Sequence, residues 1–226
     1  MNNKNITEEK FLYKNSVKNY KKPKLDKVLI FNKIFYRPAA SLIVRILFRT
    51  SITPNQLTVF SFLLGILSVI FFIQGEYFFF ILGAIVLQFS QLFDVADGML
   101  ARSKGLGSEY GAFLDLFLDR VTDFFLISGI SVGVYFHTGK PELLLIGLLT
   151  VGLYFLQVTL FYITNLYIKN HKAGDTEEAR AFLMLLFLVF ALLNKLDILI
   201  YLIFLETVIN ILSRIVHLFW LKKRSS

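Results

Sequence analysis

From about residue 55 the chain alternates long apolar runs with short polar breaks, and the length of the runs decides the architecture. Six runs, at about 55–73, 77–100, 111–136, 142–167, 180–194 and 197–220, approach or exceed the roughly 18–20 residues that carry a helix across a bilayer, the fifth being the shortest. Lipid offers backbone groups no partners, so runs of this kind are helices. Upstream, in residues 31–50, Lys33, Arg37, Ser41, Arg45 and Arg49 recur every fourth position. That spacing lays them along one helical face with apolar residues on the others. An in-plane interfacial helix fits this segment better than a seventh crossing, because Arg37 and Arg45 would fall near the middle of a span. The prediction is an all-α integral membrane protein: a basic polar segment over 1–30, an amphipathic juxtamembrane helix over 31–50, a six-helix transmembrane domain over 51–221 and a basic tail over 222–226.

Local signals mark some of the breaks. Thr53 before Pro54 reads as a cap and first helical position. The glycines of "SKGLGSEYG", 103–111, permit a tight reversal between the second and third spans. Asp175 or Thr176 is a candidate cap for the fifth, followed by Glu177 and Glu178 in its first turn.

Composition agrees with this architecture: 56% of the 226 residues are hydrophobic, 18% are charged and the mean hydropathy is +0.64, values outside the range of soluble domains. With no cysteine, there is no disulfide framework and no thiolate metal site. Some 30 polar residues precede the first apolar run, so a removable signal peptide is not expected. Residues 1–50 hold twelve Lys and Arg against Glu8, Glu9 and Asp26, and the tail holds Lys222, Lys223 and Arg224. Six spans put both termini on one side, which the excess of basic residues makes cytoplasmic. Arg102, Lys104, Lys169, Lys172 and Arg180 then fall in inner loops, and Lys140 and Lys195 in outer ones. Because the net charge of +8 flanks apolar spans, it points to anionic membrane lipids and not to nucleic acid.

Against this background four aspartates stand out. In "DVADGMLARSKGLGSEYGAFLDLFLD", 94–119, Asp94, Asp97, Gly98, Ala101 and Arg102 share one helical stripe, as do Gly111, Asp115 and Asp119. A short turn between the helices makes them antiparallel neighbours, and the two stripes can face each other near the cytoplasmic side. Each carboxylate at a helix centre costs about 2.5–3.5 kcal/mol on insertion scales, and convergence adds repulsion. Two divalent cations answer both costs: carboxylate oxygens suit Mg²⁺ or Mn²⁺ and can bridge two ions. The lack of Cys or a suitably placed His argues against zinc. Gly98, Ala101 and Gly111 leave space beside the acids, and Arg102 offers a fork for phosphate.

The run Asp94-x2-Asp97-Gly98-x2-Ala101-Arg102-x8-Gly111-x3-Asp115-x3-Asp119 resembles, at every fixed position, the signature of the CDP-alcohol phosphatidyltransferase family. The resemblance implies displacement of CMP from a CDP-linked donor, usually CDP-diacylglycerol, by the hydroxyl of a small polar alcohol; in a prokaryote the multi-pass chain is expected in the inner cell membrane. It implies that Asp94, Asp97 and Asp115 hold the metals, and that Asp119 deprotonates the acceptor while contacting the second metal. It further implies that Gly98, Ala101, Arg102, Ser108 and Gly111 border the cytidine and diphosphate, with Asn55 and Thr58 of "PNQLT" nearby, and that the protein is a homodimer. The long N-terminus with "FYRPAASLIVRILFRTSITPNQLT" is similar to enzymes that make inositol phospholipids or di-inositol phosphate. Inositol phosphate, glycerol phosphate or a similar small polar alcohol, serine included, is the expected acceptor, with a CDP-polyol donor as the variant reaction.

Other polar residues carry two readings each. Asp123 continues the Asp115/Asp119 stripe, as a partner for Arg120, a water-facing residue or an acceptor contact. Arg120 and Arg180 either bind a phosphate on the acceptor or make plain salt bridges. His137, His171 and His217 fit interfacial placement at span ends or in loops. Glu206 faces the bundle or a subunit contact. A transporter or channel also keeps ionisable groups in a bundle, but it scatters them along a midplane pathway, whereas these acids cluster at one end.

Overall fold

The structure, a computed structural model, describes residues 32–167 and 175–225, with side chains described over 34–164 and 180–216. Among these residues it is helical: α1 Arg37–Leu47, α2 Pro54–Ile73, α3 Tyr77–Lys104, α4 Glu109–Thr138, α5 Pro141–Tyr167, α6 Asp175–Leu192 and α7 Leu196–Ser225. The last six coincide with the six runs. Four of them, α2, α3, α5 and α7, are long and apolar enough to cross a membrane by length and composition. α4, which carries Glu109, Asp115, Asp119, Arg120 and Asp123, is not among them, and the described apolar part of α6 is short, Arg180–Leu192. The expected 1–30 segment, with Lys169, His171 and Lys172, lies outside the described residues. So do the side chains of Lys33, Asp175, Thr176, Glu177, Glu178, His217 and the basic tail.

The amphipathic segment is shorter than its sequence pattern. A single π-helical turn, Asn32–Tyr36, leads into α1, and Pro38 sits where a missing N–H costs nothing. One face of the segment buries Tyr36, Ala40 and Val44, while Ile34, Phe35, Leu42 and Ile46 stand exposed.

The described residues divide into two compact units, 32–64 with 89–120 and 65–88 with 121–167 and 175–225. The first has a small core of Ala40, Val44, Leu57, Ala96 and Leu100, with Ile43, Leu92, Phe93 and Met99 packed around it. Two polar ties add to it. Ser90 donates from Oγ to the Ser61 carbonyl at 2.8 Å, and Lys104 Nζ donates to the carbonyls of Thr50 and Ile52, both at 2.8 Å. The lysine thereby satisfies chain that has left α1 and not yet entered α2.

The second unit centres on Phe72, Phe80, Leu87, Leu126, Ile130, Val134, Phe187 and Leu199. Its tightest point is Gly133, where a Cβ would lie 1.8 Å from the Phe72 carbonyl oxygen; only glycine lets the two backbones approach so closely. α5 and α7 pack along one another. Gln88 Nε2 donates to the Met184 carbonyl at 2.7 Å and the Tyr77 hydroxyl to the Leu192 carbonyl at 2.9 Å. His137 is structural: its Nδ1 lies 2.8 Å from the Gly75 carbonyl oxygen and its ring meets Phe80 edge-on. Glu206 is exposed and does not face the bundle; it accepts a hydrogen bond from Asn210.

Candidate active site

Three helix ends of the first unit build the site, and each is fixed by its own sequence. α2 begins with a reciprocal capping box: the Thr53 N–H donates to Gln56 Oε1 at 2.9 Å, and the Gln56 N–H donates to Thr53 Oγ1 at 3.3 Å. α3 closes at Gly105, whose φ of +66° is a left-handed conformation natural to glycine. The Leu106 N–H then reaches back to the Ala101 carbonyl at 3.0 Å. α4 opens on Ser108, whose Oγ accepts from the Gly111 N–H at 3.0 Å. The turn between the acidic stripes is therefore bounded by a C-terminal glycine and an N-terminal serine.

That turn brings the stripes together as the helical projection required. Asp94, Asp97 and Asp115 each offer a carboxylate oxygen within 4.8 Å of the others. Asp97 is the buried member, 5% exposed. The Thr58 side chain and the Gly98 N–H hydrogen-bond its carboxylate, yet its Oδ2 is buried with no hydrogen-bond partner. Asp94 is oriented by Gln91, whose Nε2 donates to Asp94 Oδ2 at 3.2 Å. Asp119, one turn beyond Asp115 on α4, is within electrostatic reach of Asp97 but outside the group of three.

These donors fit a divalent cation. Three converging carboxylates form a hard, anionic oxygen set, and a buried carboxylate oxygen without a partner is costly unless something positive faces it. Thr58 and Gln91 act as outer partners that orient ligands of such a site.

The residues expected around a nucleotide are near the acids. The Arg102 guanidinium lies across Gly98, with Nη1 3.4 Å from the place a Cβ would occupy. At Gly111 a Cβ would meet Asn55 Oδ1 at 2.9 Å and Ser108 Oγ at 3.1 Å, so Asn55, Ser108 and Gly111 are immediate neighbours. Ala101 is half-buried one turn from Asp97.

Arg180 and Asp123 belong to the second unit. Arg180 Nε is 3.4 Å from Asp123 Oδ1, and Asp123 is buried. The water-facing reading of Asp123 is thus overturned: packing of α4 in the second unit removes it from solvent. Its other oxygen accepts from the Tyr154 hydroxyl at 2.5 Å. Tyr154 had no signal in the sequence, being one aromatic residue in an aromatic-rich helix.

A family model described as CDP-alcohol phosphatidyltransferase matches residues 51–219. The chain belongs to that family. It is 40% identical over 97 residues to archaetidylinositol phosphate synthase of Pyrococcus horikoshii, covering 42% of this chain and 50% of the relative. It is 42% identical over 80 residues to the bifunctional IPC transferase and DIPP synthase of Aquifex aeolicus, covering 35% of this chain and 18% of that relative. The chain thus spans about half or less of the length of these curated relatives. The fold is similar to that of Mycobacterium tuberculosis phosphatidylinositol phosphate synthase solved with CDP-DAG bound, at a TM-score of 0.64 and 23% identity over 78% of this chain and 91% of that one. The same enzyme in complex with manganese and citrate matches at 0.64 and 23% identity over 78% and 87%. With its four apolar helices and this family, the chain is an integral membrane protein.

Proposed function

We propose that the protein transfers a phosphatidyl group from CDP-diacylglycerol, or a related CDP-linked lipid, to the hydroxyl of inositol phosphate, releasing CMP. The observation that carries this reading is the convergence of Asp94, Asp97 and Asp115 around an unpartnered buried oxygen, in a chain matched to the family over 51–219. The acceptor rests on the relatives, which are named archaetidylinositol phosphate synthase and phosphatidylinositol phosphate synthase. The Aquifex relative supports a second reading, a CDP-polyol donor in a di-inositol phosphate type of reaction.

In this mechanism Asp94, Asp97, Asp115 and Asp119 hold two ions, Mg²⁺ or Mn²⁺. Such ions, when bound, screen the donor's diphosphate and stabilise charge on the attacked and leaving oxygens. Asp119 accepts the proton of the acceptor hydroxyl. The freed oxygen forms a bond to the β-phosphorus of the donor as the bond from that phosphorus to the CMP oxygen breaks, and CMP leaves with that electron pair. Arg102 binds the diphosphate, while Asn55, Thr58, Gly98, Ala101, Ser108 and Gly111 shape the cytidine pocket. Arg120 and Arg180 bind the acceptor phosphate. Six spans, an interfacial α1, cytoplasmic termini and active site, and a homodimer complete the reading. The exposed apolar residues Ile34 and Phe35 of the turn before α1 and Leu42 and Ile46 of α1 support the interfacial placement.

The decisive measurement is CMP release by the purified protein with Mn²⁺ or Mg²⁺, CDP-diacylglycerol or CDP-inositol, and a panel of inositol phosphate, glycerol phosphate, inositol and serine. Inositol phosphate with the lipid donor is expected to be the best pair. No CMP from any pair would end the transferase reading.

Gly98→Ala separates pocket from scaffold. A Cβ there makes only ordinary contact with Arg102, and alanine in a helix interior gains up to about 1 kcal/mol over glycine. The variant is expected to melt at or above the wild-type temperature while kcat/KM for the CDP donor falls about ten- to a hundred-fold through displaced reactants. A variant with unchanged kinetics would remove Gly98 from the pocket.

A further inference from the structure

In the second unit a carboxylate, a phenol and a guanidinium meet, each from a different helix. Asp123 of α4 receives the Tyr154 hydroxyl of α5 on Oδ2 at 2.5 Å and faces Nε of Arg180 of α6 with Oδ1 at 3.4 Å. The two charged side chains are only 6% and 16% exposed. As a mere tie between apolar helices the arrangement is a poor choice, since well-packed apolar side chains of equal volume do that work as well or better. Its distinctive property is geometric. Tyr154 anchors one carboxylate oxygen, which stops the Asp123 carboxylate from turning. The other oxygen, in ion-pair contact with Nε at 3.4 Å, then holds the guanidinium beside it by charge. The phenol also draws negative charge away from the carboxylate, so that the arginine beside it is less fully neutralised.

We propose that Asp123 and Tyr154 are positioning residues that fix the Arg180 guanidinium for the phosphate of the acceptor, so that acceptor affinity depends on a tyrosine that itself need not touch the acceptor. The proposal rests on the reading of Arg180 as an acceptor contact, and the test separates the two.

Steady-state kinetics on the full-length protein with Mn²⁺ and CDP-diacylglycerol would compare Arg180→Gln, Tyr154→Phe, Asp123→Asn and the Arg180→Gln/Tyr154→Phe double variant, with inositol phosphate and unphosphorylated inositol as probes. Arg180→Gln is expected to raise the KM for inositol phosphate about a hundred-fold, and Tyr154→Phe and Asp123→Asn about ten-fold each, because charge-assisted pairing with phosphate is strong and orientation-dependent. The KM for the lipid donor should stay at the wild-type value in Tyr154→Phe, its melting temperature should fall by only a few degrees as one buried Asp123 oxygen loses its donor, and inositol without phosphate should not discriminate the variants. The double variant should be no worse than Arg180→Gln alone, because the tyrosine acts only through the arginine. An unchanged inositol phosphate KM in Arg180→Gln would sink the reading of Arg180. A large effect of Arg180→Gln beside a silent Tyr154→Phe would sink the positioning role while leaving that reading intact. Equal losses in donor KM, acceptor KM and melting temperature for Tyr154→Phe would make the cluster purely structural and overturn the proposal. Should Asp123→Asn fail to fold, Tyr154→Phe alone decides.

Discussion

Asp119→Asn is expected to slow CMP release by about 10³-fold, within the range a general base contributes, while leaving the KM for the CDP donor within a few-fold of wild type. The substitution keeps the size and planarity of the side chain and removes the lone basic site. The geometry makes this residue separable from its neighbours. Asp94, Asp97 and Asp115 form the close group, and Asp119 stands one turn further along α4, near enough to feel the charge of Asp97. A carboxylate pulled into the centre of a metal cluster is a poor proton acceptor, whereas one at its margin can meet the incoming hydroxyl. The same variant should therefore keep most of its stabilisation by Mn²⁺. A kcat within about three-fold of wild type would place the base elsewhere, since loss of a true base costs at least about 10²-fold. Complete loss of the Mn²⁺ effect would make Asp119 a ligand first.

The order in which these features became visible follows from how local each is. The acidic constellation was legible because it is a product of helical period and one short turn. Offsets of three and four residues put Asp94 and Asp97, then Gly111, Asp115 and Asp119, on stripes, and Gly105 and Ser108 are local stop and start signals. The Thr53 cap is legible for the same reason, while the reciprocal bond from Gln56 shows in the structure. Features that depend on which helix packs where were not legible. Asp123 has the same spacing from Asp119 as Asp119 has from Asp115, so periodicity assigned it to the same stripe. Its burial and its pairing with Tyr154 and Arg180 arise from packing of α5 and α6, and no spacing rule reaches across those helices. Segment 31–50 shows the other limit. Its four-residue polar repeat was continuous, but the regular α-helix covers only Arg37–Leu47, with Pro38 at its start and Lys104 binding the chain beyond it.

Metal binding should couple most strongly to stability through Asp97. Mn²⁺ at about a hundred times its dissociation constant stabilises a folded protein by about 2.7 kcal/mol, and in a chain of this size each kcal/mol moves the melting temperature by about 2–4 °C. Wild-type protein is thus expected to melt about 5–10 °C higher in saturating Mn²⁺ than in a chelator. Asp97→Leu should abolish that rise and all CMP release. In the chelator the variant should melt at least as high as wild type. The leucine removes an oxygen that is buried without a partner, a burden of about 1–3 kcal/mol, and it relieves repulsion from Asp115 and Asp119. Against this, Thr58 and the Gly98 N–H lose an acceptor, but Thr58 Oγ1 remains 3.1 Å from the Pro54 carbonyl oxygen, so its hydroxyl is not stranded. A metal-free protein that melts with equal or greater stability after losing a buried carboxylate shows that the carboxylate is kept for its ligand, not for the fold. Two results would contradict this: a wild-type melting temperature indifferent to chelation, or an Asp97→Leu variant that still responds to Mn²⁺.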